Sequence, residues 1–97
     1  MPVIAIAQLS FTDIDAYRRY QARFMDVFKR FSGQLLAADE NPSLIEGSVC
    51  PDKIVIMTFP DEAGFHAWAD SPEYHEILQD RKAGANATVL LVQSLAE

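Results

Sequence analysis

At 97 residues the chain has room for one domain, because a second core would need roughly 50 further residues. Hydrophobic residues make up 49% and charged residues 23%, close to the globular norm, which argues against a disordered or membrane-embedded chain. Eight Lys and Arg face fourteen Asp and Glu, a formal charge of −6 with no segregated basic patch, so a nucleic-acid partner is disfavoured. The opening Met1-Pro2-Val3 carries no basic leader, and no apolar run approaches the ~20 residues of a spanning helix, so a cytoplasmic protein with no membrane partner is expected. Cys50 is the single cysteine, which removes intrachain disulfides and thiolate metal clusters and suits a reducing compartment.

Val3 to Leu9 is β-branched and nearly all apolar, which predicts a strand buried on both faces. Thr12 is the expected N-cap of a long helix with Asp13 and Asp15 in its first turn. Ile14, Tyr17, Phe24, Phe28 and Phe31 form its apolar stripe, and Gly33 is its expected left-handed stop. Gln34 to Ala38 reads as a second strand and Ile54 to Phe59 as a third. Between them the polar stretch Asp39 to Asp52, with Asn41-Pro42, Gly47 and Pro51, reads as a long connection in which Ser43 to Glu46 could extend either arm. Asp61 caps a short helix bearing Phe65, Trp68 and Ala69, and Ser71-Pro72 breaks and restarts it as N-cap and first residue. Tyr74, Ile77, Leu78 and Arg81 make one stripe of the continuation, before Gly84 and Asn86 release the chain into a fourth strand, Ala87 to Val92.

The order βαββαβ gives a single ferredoxin-like α+β domain over residues 1–97, a four-stranded antiparallel sheet with its helices on one face. Strands one, three and four are apolar at both parities, so the face without helices also needs a cover. The economical cover is the sheet of a second copy, which predicts a homodimer packed sheet to sheet.

From Glu46-Gly47 through Phe59-Pro60, Glu62-Ala63, Ala67-Trp68, Ser71-Pro72-Glu73-Tyr74 and Arg81, the chain resembles the bacterial family called domain of unknown function 1330, and the paired Tyr17 and Tyr20 are compatible with it. The resemblance implies the dimeric α/β-barrel fold. That fold also serves cofactor-free monooxygenases, lactone isomerases and haem-binding enzymes, so it implies an architecture and no particular chemistry.

Arg81 lies on the stripe expected to face the sheet, where a guanidinium needs a partner: Glu46 or the acid group of a ligand. Trp68, Tyr74 and Phe65, with Tyr17 from the first helix, are expected to wall an apolar pocket, or else to serve as ordinary core. His66 shares a polar helix face with Glu62 and Asp70, and the helix break separates it from His75, so a metal or haem site is not expected and no cofactor is called for. Cys50 has no His near it in sequence, and the chain holds no nucleophile elbow, phosphate-cradling glycine loop or dinucleotide fingerprint.

The expected ligand is therefore a small organic, aromatic or unsaturated acid. Arg81 would anchor it, Glu46 position it, and Trp68, Tyr74 and Tyr17 shape the wall, with isomerase-like or cofactor-free oxygenase-like chemistry. Two other readings stand beside this one. The first is a non-catalytic dimeric ligand-binding or stress-associated module. The second is an N-terminal-proline tautomerase in which removal of Met1 frees the Pro2 amine.

Overall fold

The computed structural model describes residues 1–95. In chain order it contains β1 (Val3–Phe11), α1 (Ile14–Phe28), β2 (Gln34–Asp39), β3 (Lys53–Phe59), α2 (Glu62–Ala69), α3 (Pro72–Gly84) and β4 (Ala85–Gln93). The strands form one antiparallel sheet in the order β2-β3-β1-β4, with β1 and β3 central. The architecture is ferredoxin-like. The expected helix break is real: the Ser71 hydroxyl accepts from the Tyr74 amide at 3.1 Å, and Pro72, which has no N–H to lose, opens α3.

The strands run one or two residues past their expected ends at several points, and Ser43 to Glu46 extends neither arm of the 40–52 connection. The cap of α1 also moves. Asp13, and not Thr12, is the N-cap, its carboxylate accepting from the amides of Asp15 and Ala16 at 3.1 and 3.3 Å. The cause lies in the last residue of α3, whose carbonyl on Gly84 accepts from the amides of both Thr12 and Asp13 and so holds Thr12 outside the helix. Ile14 is exposed, while Tyr17, Tyr20, Val27 and Phe28 are buried, and Phe31 lies beyond the helix end.

Gly33 is not a left-handed stop. Among the described residues the positive φ belongs to Gly47, and α1 ends on Lys29 in ordinary helical geometry. What requires glycine at 33 is space, because a Cβ there would fall 2.5 Å from the Phe59 ring and 2.6 Å from Phe28. Gly84 is likewise enclosed by the backbone of α1, where a Cβ would lie 2.4 Å from the Tyr17 nitrogen. These two contacts let α1 and α3 close on each other and on the sheet.

The sheet has two different faces. On the helix side, Val3, Ala5 and Leu9 of β1 and Met57 and Phe59 of β3 are buried under Tyr17, Phe28, Trp68 and Ile77. Aromatic rings knit this layer together, with Phe59 stacked on Trp68 at 5.7 Å and Phe28 edge-on to both. On the other face the strand registers bring Ile6, Ile56, Leu90 and Ala37 into one row across all four strands. Ile4, Ile54 and Val92 extend that patch, and Leu90 and Val92 keep 50% and 39% exposure. No helix covers it.

Candidate functional site

A cavity of about 350 Å³ lies between the helices and the inner face of the sheet. Most of its wall is apolar: Ala7, Leu9, Val55 and Met57 form the floor, Phe24 and Met25 one flank, and Phe65, Trp68 and Leu78 another. Tyr17, Tyr20, Tyr74, Gln21, Lys53 and Arg81 supply the polar groups. Among the described residues, no Asp, Glu or His lines it.

Four residues singled out in the sequence, Arg81, Trp68, Tyr74 and Tyr17, meet in this cavity. Arg81 is half-buried, forms no ion pair among the described residues, and lies beside the Tyr74 phenol. Glu46 does not join them; it sits exposed in the 40–52 connection, away from the cavity wall. A carboxylate that does touch a lining residue is Glu40, just after β2. It receives Arg18 through two contacts, one of 2.7 Å, and Lys53 at 3.4 Å. The Arg18 hydrogen bond, with Lys53 behind it, pulls the Glu40 carboxyl down to about 2.

Lys53 was hidden from sequence reading because it closes a polar connection. It is only 3% exposed, and its ammonium lies over the Tyr17 ring at 4.8 Å from the centroid. Parity could have found it, since Lys53, Val55, Met57 and Phe59 alternate on the inward side of β3. Tyr20 was the other understated residue. Its hydroxyl lies 3.1 Å from that of Tyr74, and both phenols are buried. Burial pushes Tyr20 well above the usual phenol range. Burial also raises Tyr74, but the Tyr20 hydrogen bond and the Arg81 charge pull the other way. Both remain protonated at neutral pH.

Trp68 has its indole Nε1 buried without a hydrogen-bond partner among the described residues. The histidines take no part in the site. His66 Nδ1 faces Asp70 at 3.5 Å on an exposed helix flank, His75 is exposed, and no group of His, Cys, Asp and Glu among the described residues could hold a metal ion. Cys50 is exposed, its thiol donating to the Pro42 carbonyl. Pro2 borders a separate, shallower pocket with Ser32, Gln34, Thr58, Phe59 and Pro60, which includes no Lys or Arg to receive a substrate acid.

Comparison with known proteins settles the family. The family described as Domain of unknown function (DUF1330) matches residues 2–95. The chain belongs to it. A comparison with curated proteins finds no match. Among solved structures, a Rhodopseudomonas palustris protein of unknown function superposes with a TM-score of 0.83 at 19% identity, covering 99% of this chain and 84% of that one. SnoaB, a cofactor-independent oxygenase from Streptomyces nogalater, gives 0.70 at 15% identity over 99% and 98% of the two chains. A dimeric ferredoxin-like protein of unknown function from Thermobifida fusca gives 0.70 at 16% over 97% and 92%. At these identities the likeness is one of fold, and it agrees with the ferredoxin-like topology described above.

Proposed function

We propose that the protein works as a homodimer joined through the outer faces of two sheets, each subunit binding a small aromatic or unsaturated organic acid between its helices and sheet. The observation that carries this reading is the charge of the cavity wall. In a chain of net charge −6, the cavity is lined by Lys53 and Arg81 and, among the described residues, by no carboxylate. Two cations beside an apolar cavity favour an anion with an apolar body, and Arg81 is the one without an ion-pair partner among the described residues. The uncovered row of Ile6, Ile56 and Leu90 supports the dimer, as do the dimeric neighbours of the same fold. An exposed, unpaired Cys50 suits the reducing cytoplasm.

Isomerase-like or cofactor-free monooxygenase-like chemistry suits such a pocket, because an acid with an activated C–H needs little more than a fixed charge and a positioned phenol. The same pocket serves a non-catalytic binding module equally well, and turnover of the bound acid separates the two roles.

Titration calorimetry with phenylpyruvate as probe tests the reading. The wild-type protein is expected to bind it, and Arg81→Ala is expected to weaken binding about tenfold or more, as loss of a charged hydrogen bond does. Binding of equal strength in Arg81→Ala would remove the assigned anchor.

A further inference from the structure

The cavity holds more hydrogen-bonding capacity than a simple carboxylic acid would use. We infer that the Tyr20–Tyr74 hydroxyl pair selects acids bearing a second oxygen, a keto or enol group beside the carboxylate. The inference rests on the acid-binding reading above and specifies the ligand class within it.

The argument begins with proton counting. Two phenol hydroxyls 3.1 Å apart share one hydrogen bond, which uses one of their two protons. The other must find an acceptor or remain unmade, and a buried unmade donor is costly. Either hydroxyl can donate to the other, so one proton of the pair is left over whichever way the bond runs. Both rings line the cavity, and among the described residues no Asp, Glu or His lines it to accept that proton. A ligand oxygen is the fitting acceptor.

The anchoring charge assigned above is close by, since Arg81 lies beside the Tyr74 phenol on the same helix, α3. The Lys53 ammonium, by contrast, lies over Tyr17 and is tied to Glu40. The wall therefore offers a cation and a neutral donor side by side, with the aromatic lining of Phe24, Phe65 and Trp68 to receive an apolar body. An aryl or alkenyl 2-oxo acid presents a matching arrangement of carboxylate, carbonyl and apolar body. A plain hydrocarbon acid leaves the pair's second proton unused.

The test compares two probes of one skeleton, phenylpyruvate and 3-phenylpropanoate, which differ by the keto oxygen. Trp68 is the single tryptophan and lines the cavity, so its emission reports occupancy alongside calorimetry. The wild-type protein is expected to prefer phenylpyruvate by about tenfold, the worth of one hydrogen bond. In the Tyr20→Phe/Tyr74→Phe double variant the ratio is expected to fall to within about twofold. Removing both hydroxyls together leaves neither stranded, so this variant keeps its fold where Tyr74→Phe alone would orphan Tyr20. Equal binding of the two probes by the wild-type protein, or a preference that survives in the double variant, overturns the inference and leaves the acid pocket standing. Failure of both probes to bind overturns the acid-binding reading and this inference together.

Discussion

Glu40 carries one negative charge for two cations, Arg18 and Lys53, and its carboxyl is held down near 2 against an ordinary 4.5. A group whose folded pKa is depressed contributes stability above its unfolded pKa and loses it as pH falls through the folded value. Thermal melts of Glu40→Gln should therefore show lower stability than wild type at pH 7, with the difference shrinking as pH drops from about 4.5 toward 2. A gap that persists unchanged at pH 2 would mean that Glu40 acts through packing alone. At this scale the sequence revealed Arg81, Trp68, Tyr74 and Tyr17, because helical spacing places them on inward stripes. It did not reveal Lys53, because a lysine after a Pro-Asp turn reads as solvent-facing until its strand parity is followed back from Phe59. Glu46 was attractive as a carboxylate to pair with Arg81, yet it sits in an exposed segment that does not line the cavity.

Among the elements, the most consequential contact is that of α3 with α1 at Gly84, whose carbonyl binds the amides of Thr12 and Asp13 at 2.9 and 3.1 Å. Because a Cβ at position 84 would meet the α1 backbone, Gly84→Ala should force the helices apart and cost about 1–3 kcal/mol, measurable by urea unfolding. A change below about 0.5 kcal/mol would show that the crossing relaxes freely. The broken helix was legible because Ser71-Pro72 is a local signal, cap and first residue together. The start of α1 was not: Thr12 and Asp13 both make good caps, and the choice is decided by a carbonyl 71 residues away. Gly33 misled for a related reason. Its requirement is the volume of Phe59 and Phe28, which no local pattern encodes.

At the scale of the whole molecule, one sheet has two tasks: its inner face closes a cavity lined by two cations, and its outer face presents an apolar row without cover. Alternating apolar residues on both parities made that second face readable before any coordinates, since period-two patterning needs no tertiary knowledge. The cavity itself was not, because its volume depends on how far α1 and α3 stand off the sheet. If a second copy covers the outer row, a charge at its centre should be intolerable, and Ile6→Lys should give monomer or loss of folded protein. The most direct test of this account is sedimentation equilibrium of the wild-type protein at micromolar concentration. The expected result is a single species of twice the chain mass that shifts toward monomer in Ile6→Lys; a stable, folded wild-type monomer would contradict it.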